Sequence, residues 1–499
     1  MSQTATFRTF SPPFGARPAP QLYNDPQKSP EWLARRTEQT ASPCAANIGL
    51  SPYEQRPADR WAIMAGLAVD DFRGNVHTEY GERYEPRVRA ICRAMLGPAA
   101  TIDEWGMFRD RYRRHLGISP DGETNALRIV GSIPSTGERI DWRVGKMMVE
   151  IKTSRAHFYP VPRVSHVAQL QLQMYVMNRA WGILHYWSRD RTRAWMMQFD
   201  RWGFARWMML RLDLMHEHVV RRVPVTADNP FFNDHWRDAP WYRGGGHVAD
   251  WLQARWFGAE HTRCAPGEPD LDLPLLRPPI SSDAWAAELR SLEITPEQWD
   301  ERYPDSAPRL GGPAVDVAFH ATPPKPRIYL IYEYERPVPG CEIEFEDDRC
   351  VVDQPEDNRQ WFADAFPHVS RWAEAQRDVS AEHALMPRLL IERVESVPNM
   401  DEPTPCDGRA EDTADEQAAY EQRLAKFVQQ ARDADAEKQR RRDIEDRARE
   451  RMRQMRLPTV AKKNTEPRGD EPEGKRRRRE ATPPLGDGDA TDELWDWTK

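Results

Sequence analysis

Val149-Glu150-Ile151-Lys152-Thr153 places two opposite charges among β-branched residues. Side chains alternate across a strand, so Glu150 and Lys152 project from one face while Val149 and Ile151 enter the core. Alone, Glu-x-Lys reads as an ordinary ion pair of small worth. A second segment changes its meaning. Gly117-Ile118-Ser119-Pro120-Asp121-Gly122 is a short strand leading into an Asp-Gly turn, which puts Asp121 at the strand's end. Asp121 and Glu150 together offer oxygen ligands for Mg²⁺, with Mn²⁺ as a substitute, because this ion keeps several waters and takes only one or two carboxylates from a protein. Lys152 beside it would orient or help deprotonate a water and offset charge building on a phosphate.

Outward from these two segments the chain alternates helical and extended patterns. Tyr84, Val88, Ile91 and Met95 recur at helical spacing and predict a helix over 80–96, ended by Gly97-Pro98. Short strands are predicted at 115–119, 127–133, 139–143 and 147–153, a meander. Val167, Leu170, Met174 and Met177 share a helix face within 166–187, followed by an apolar strand over 183–187. Residues 29–225 therefore read as one mixed α/β domain. Residues 1–28, with five prolines, read as a flexible leader, order beginning near Pro30.

The remainder is less structured in its patterning. Residues 226–405 are rich in Pro and Trp and suggest only one strand, at 327–334, with no assigned fold. Residues 401–412 read as a linker. Thr413-x-x-Glu416 offers a capping box for a charged helix over 413–456, a solvated arm or one strand of a coiled coil. Residues 457–499 read as a disordered tail. The tail holds Lys475, Arg476, Arg477, Arg478 and Arg479, a run of nuclear-import type or a nucleic-acid tether, and ends in Asp492-Glu493-Leu494-Trp495-Asp496-Trp497, suited to a basic, apolar groove.

The formal charge of −8 hides an asymmetry: residues 1–225 hold 32 Lys and Arg against 22 Asp and Glu, and the rest 39 against 57. A basic front suits contact with phosphates, or is an ordinary Arg-rich surface. The six cysteines form no C-x-x-C pair, which excludes a zinc ribbon and a dense disulfide framework and predicts reduced thiols. No stretch approaches the roughly 20 apolar residues of a membrane span, and no signal pattern opens the chain. A soluble, intracellular protein is expected.

Asp121 with Glu150-x-Lys152 resembles the PD-(D/E)xK nuclease signature, and Ser119-Pro120-Asp121-Gly122 is similar to its lambda-exonuclease, YqaJ-like viral recombinase branch. Gly81-Glu82-Arg83-Tyr84-Glu85-Pro86 resembles the helix whose glutamate joins the metal site, which nominates Glu85. His166-Val167-Ala168-Gln169-Leu170-Gln171-Leu172-Gln173-Met174-Tyr175 resembles the family's glutamine-bearing helix. Gln171-x-x-x-Tyr175 puts both side chains on one face, as related RecB-type nucleases use them on substrate, with Gln169 and Gln173 on a neighbouring face. Gln171 is the first choice and Gln169 and Tyr175 join it. Trp32-Leu33-Ala34-Arg35-Arg36 with Thr40-Ala41-Ser42 is similar to the segment whose Arg and Ser hold a terminal 5′-phosphate, matching Arg36, or Arg35 in its place, and Ser42.

The resemblance covers roughly residues 30–218. It implies a restriction-endonuclease-like core, a central mixed sheet flanked by helices, with metal held by Asp121, Glu150, the Ile151 backbone carbonyl and Glu85. It implies digestion of double-stranded DNA from its ends, 5′ to 3′, leaving a 3′ overhang for a single-strand annealing protein, in viral recombination within a host nucleus or, without import, the cytoplasm. A homo-oligomer is a further expectation; the ring of phage members is not carried to a chain with so large a C-terminal half. Two alternatives stay open: a PD-(D/E)xK endonuclease, and a noncatalytic nuclear DNA-binding scaffold on an inactive nuclease fold. An iron–sulfur relative is excluded by the cysteine spacing. All four core residues being present favours the enzyme.

Overall fold

The computed structural model of the chain describes residues 6–154 (apart from 16, 28, 37–38, 51–56 and 69–75), 162–226 (apart from 189–191 and 202–203), 229, 231–232, 256, 282–303, 326–334, 388–397, 406–407, 409 and 412–456. Its strands are β1 (Thr6–Phe10), β2 (Gln21–Tyr23), β3 (Gln39–Thr40), β4 (Ile102–Asp103), β5 (Met107–Arg109), β6 (Leu116–Ile118), β7 (Gly122–Thr124), β8 (Leu127–Ile133), β9 (Glu138–Val144), β10 (Met148–Thr153), β11 (Trp181–Trp187), β12 (Thr192–Gln198), β13 (Ile328–Tyr334), β14 (Leu390–Ser396) and β15 (Cys406–Asp407). The helices are α1 (Pro30–Arg35), α2 (Cys44–Asn47), α3 (Pro57–Met64), α4 (Val76–Leu96), α5 (Val164–Met177), α6 (Leu210–Arg221), α7 (Ser282–Ser291), α8 (Pro296–Arg302) and α9 (Ala414–Arg456). A π-helical turn, Phe204–Met209, leads into α6.

The central sheet runs β13-β12-β11-β10-β7-β4, mixed as expected, with β10 and β11 parallel and its other neighbours antiparallel. Parallel neighbours need a crossover, and α5 supplies it. Both faces of the sheet are covered. Val149 and Ile151 pack with Val88, Ile91 and Met95 of α4, while Met148 and Leu184 pack with Val167, Leu170 and Met174 of α5. At Gly182 on β11 a Cβ would stand 2.8 Å from Leu170 Cδ1 and 3.0 Å from Met174 Sδ, so glycine is what lets α5 lie this close. The helix ends at Asn178, which takes the left-handed conformation (φ 56°) that terminates helices and that Asn tolerates.

Three sequence expectations need correction. Residues 1–28 are not a bare leader: β1 pairs in parallel with β9, Phe10 packs edge-on against Trp142 and Trp181 at 5.4 and 5.2 Å, and Tyr23 of β2 is fully buried. The prolines punctuate extended segments whose order comes from pairing with distant strands, which no local pattern reveals. The meander also fails. β8 and β9 form a hairpin in a sheet ordered β1-β9-β8-β14, and the chain then changes sheets, placing β10 between β7 and β11.

The third correction concerns the boundary at 225. β13 adds to the central sheet beside β12, and β14 pairs with β8, where Gly131 is needed because a Cβ would fall 2.0 Å from Leu390 O. Trp285 of α7 and Trp299 of α8 share a core with Leu214 and Met215 of α6. The proposed linker is anchored too: β15 pairs with β2, and Asp412 is buried. One compact unit thus extends from Met1 to Leu424 and a second from Ala425 to Lys499. The capping box at Thr413 is present, with Thr413 N donating to Glu416 Oε2 at 2.9 Å and Glu416 N to Thr413 Oγ1 at 3.3 Å. In the second unit the described part of α9 exposes Ile444 and carries i,i+4 bonds from Gln429 to Asp433 and Gln439 to Asp443, the pattern of a solvated helix.

Residues 406–424 fasten α1. Asp412, 3% exposed, pairs with Arg35 and accepts from the Tyr23 hydroxyl at 2.7 Å; Tyr420 stacks on Arg35 with its ring centroid 3.8 Å away; and Arg423 Nε donates to Ala34 O at 2.7 Å. Breaking a buried ion pair typically costs about 3–5 kcal/mol, and without Asp412 the buried Arg35 keeps, among the described residues, only the Asp25 carboxylate at 3.5 Å. Asp412→Ala should therefore destabilise the protein by about 3 kcal/mol in urea unfolding, and a loss under about 1 kcal/mol would show that this fastening contributes little.

Candidate active site

β10 and α5 build the site together. β7 pairs with β10 only at Met148 and Val149, so beyond that point this edge of β10 is open. There Asp121, from the turn between β6 and β7, accepts a hydrogen bond from Ile151 N–H through Oδ2 at 2.7 Å. A strand residue's N–H and C=O leave by the same edge, so the Ile151 carbonyl faces the Asp121 side as well. Under α5, Lys152 Nζ lies 2.5 Å from Glu150 Oε1, Gln173 Nε2 donates to Glu150 Oε2 at 2.5 Å, and Lys152 Nζ donates to Gln169 Oε1 at 2.9 Å. Four residues of helix rise about 6 Å and two residues of strand span about 6.6 Å, so a Gln-x-x-x-Gln row matches a Glu-x-Lys row rung for rung.

The charges are strongly perturbed. Burial and the Glu150 carboxylate push the Asp121 carboxyl up to about 7, against the Lys152 ammonium and the Ile151 N–H. Burial raises Glu150 likewise, opposed by Lys152 and Gln173. For Lys152, burial favours the neutral form, but Glu150 and Asp121, with Glu85 behind them, hold it above the ordinary lysine range. Lys152 is thus a fixed ammonium in the ion-free protein. The Glu150 charge helps raise Asp121, and the Gln173 carbonyl is buried without a donor among the described residues; this oxygen-rich set fits a hard divalent cation, which Asp121, Glu150 and the Ile151 carbonyl would hold. Among the described residues no three His, Cys, Asp or Glu side chains converge on one point.

Glu85 accordingly does not close a three-carboxylate cluster. It pairs with Arg89 one turn along α4 at 2.8 Å, and Arg89 reaches Glu104 too, although the Glu85 charge is felt at Glu150 and Lys152. The glutamine assignment changes. Gln171 is turned away, donating to Gln198 O at 3.3 Å and accepting from Asp200 N at 2.8 Å, and the Tyr175 hydroxyl accepts from Arg113 Nη1 at 2.6 Å in a buried network. Spacing grouped the glutamines into faces without saying which face meets the sheet; the apolar contacts of α5 decide that Gln169 and Gln173 do.

Arg35, the alternative phosphate ligand, is buried against Asp25 and Asp412 and is a structural cation. Arg36 stays accessible in part, stacked over Trp32 with its centroid 5.1 Å away and donating to Thr40 Oγ1 at 3.0 Å. Trp32 Nε1 donates to Ser119 Oγ at 2.9 Å, which ties this segment to the turn bearing Asp121. The parallel pairing of Thr40 with Gly117 sends both chains onward in one direction, to exposed Ser42 beyond β3 and to Ser119 beyond β6. The sequence reading missed His166 and Tyr186, whose Nδ1 and hydroxyl lie 2.7 Å apart; Tyr186 is the register partner of Lys152, and burial with the Lys152 and Arg163 charges holds His166 well below the usual histidine range. Lys475 to Arg479 and the Trp-bearing terminus lie outside the described residues. Cys44 and Cys92 are free, buried thiols, and no helix among the described residues is long and apolar enough to cross a membrane.

A carboxyl whose folded pKa is raised binds its proton more tightly when folded, so its contribution is greatest at low pH and is lost between its ordinary 3.8 and about 7. Asp121→Asn keeps an acceptor for Ile151 N–H and removes the charge. In EDTA it should stabilise the protein by on the order of 2 kcal/mol at pH 8 and by much less at pH 5. An equal effect at both pH values in denaturant melts would contradict this electrostatic picture.

Residues 31–180 match the YqaJ-like viral recombinase domain. No curated protein matches the chain. Among solved structures, an alkaline exonuclease from Laribacter hongkongensis is similar over 39% of this chain and 94% of its own, with 19% identity and a TM-score of 0.29. The structure of that exonuclease in complex with dAMP is similar over the same shares, with 18% identity and a TM-score of 0.30. With the Asp-turn, the Glu-x-Lys strand and the glutamine helix all inside the matched segment, this chain carries a YqaJ-like viral recombinase domain over residues 31–180.

Proposed function

We propose that the chain is a Mg²⁺-dependent exonuclease that hydrolyses double-stranded DNA from the 5′ end, leaving a 3′ overhang for an annealing protein in viral recombination. The observation carrying this reading is the bond from Ile151 N–H to Asp121, which brings Asp121 beside Glu150 and Lys152 although the sequence separates them by about thirty residues. In the reading, Asp121, Glu150 and the Ile151 carbonyl hold the ion, which when bound supplies a Lewis acid for the phosphoryl group and a more acidic water. Lys152, kept as an ammonium, orients the attacking water by donation and offsets charge accumulating on the phosphate. Gln169 holds the Lys152 ammonium in place. Arg36 presents a planar fork to a terminal 5′-phosphate, with Ser42 as a second donor.

On an end-labelled linear duplex with Mg²⁺, Lys152→Ala should cut the rate at least about 100-fold while DNA binding persists, as loss of a transition-state electrostatic group does. Undiminished digestion would refute the assignment. A duplex bearing 5′-phosphate should be shortened faster than one bearing 5′-hydroxyl, and Arg36→Ala should abolish the difference; equal rates with the unaltered protein would remove the end-recognition role, and loss of label from the 3′-ended strand would reverse the polarity.

A further inference from the structure

Gln173 is fully buried, and its two ends meet opposite circumstances. Nε2 donates to Glu150 Oε2 at 2.5 Å, whereas Oε1 is buried with no donor among the described residues. An unsatisfied buried carbonyl costs about 1–3 kcal/mol, which the bond from its own N–H to Glu150 does not relieve. Nothing about packing requires an amide here: Leu170, Leu172, Met174 and Val176 around it are apolar and fully or almost fully buried. The Glu150 carboxylate beside it is engaged at both oxygens, Oε2 by Gln173 and Oε1 by the Lys152 ammonium at 2.5 Å. The Gln173 carbonyl is thus the one acceptor left open here among the described residues, on the residue that orients the proposed metal ligand.

We infer that Gln173 is a positioning residue for the divalent cation: its amide N–H fixes the Glu150 carboxylate, and its carbonyl accepts from a water of the ion's hydration shell. This rests on the metal-site reading above and deepens it. A hydrated cation would supply the O–H donor that Gln173 lacks, beside the Glu150–Lys152 pair. Partners of metal ligands tune affinity in this way, and losing one typically weakens binding roughly 10- to 100-fold. The role differs from that of Gln169, which bonds the Lys152 ammonium and would act on the rate without a comparable effect on the ion.

The test reads ion binding rather than turnover. Mn²⁺ is titrated into the full-length protein and into Gln173→Met and Gln173→Asn, with free Mn²⁺ followed by its electron paramagnetic resonance signal, and melting is recorded in EDTA. Gln173→Met, which also removes the donor to Glu150, should fold with a lowered melting temperature in EDTA and weaken Mn²⁺ binding at least 10-fold. Gln173→Asn, one methylene too short to reach Glu150, should weaken it comparably while retaining an amide. Variants that fold and bind Mn²⁺ as tightly as the unaltered protein overturn the inference and leave the nuclease reading standing. If the unaltered protein binds no Mn²⁺, or binds it no more tightly than Asp121→Asn, both are overturned together.

Discussion

The burial of the Glu150 carboxylate is the constraint around which the rest is arranged. It is 0% exposed, on a strand whose two faces are both covered by helices. A carboxylate cannot sit there unless a cation and hydrogen-bond donors come with it. Lys152 two residues along the strand supplies the first, and Gln173 from α5 supplies the second. The helix must therefore cross the sheet at this height and rotation, and Gly182 provides the room for it. Parallel pairing of β10 with β11 enforces the same crossing from the backbone side.

The opposite edge of β10 obeys a complementary rule. Where β7 stops, backbone groups of β10 would be left unpaired, and Asp121 takes the Ile151 N–H in place of a strand. The same interruption sets Asp121 at this edge of β10, near enough to Glu150 for their charges to interact. Burial and the Glu150 charge together raise the Asp121 pKa to about 7, against the Lys152 ammonium.

Described segments from beyond residue 300 are part of this architecture. β13 and β14 cover edges of β12 and β8 that would otherwise be open to association, and residues 406–424 lock the helix preceding Arg36. The domain matched at residues 31–180 is therefore completed by strands from beyond residue 300 and by β1 and β2 from before residue 30.

Much was legible in the residues themselves. The Glu150-x-Lys152 alternation, the Asp121 turn, the α5 stripe and the Thr413 cap all follow from local periodicity or turn chemistry, which operate over a few residues and leave a signature there. What lay outside its reach was each decision made by a distant partner: that β1 lies beside β9, that β10 leaves the meander, that Gln169 and Gln173 rather than Gln171 meet the sheet, and that Arg35 is spent on Asp412. Helix rotation is set by which apolar residues find cavities in the sheet below, and strand neighbours by which edges lack hydrogen bonds. Both are properties of the assembled surface, and only the tertiary structure holds them.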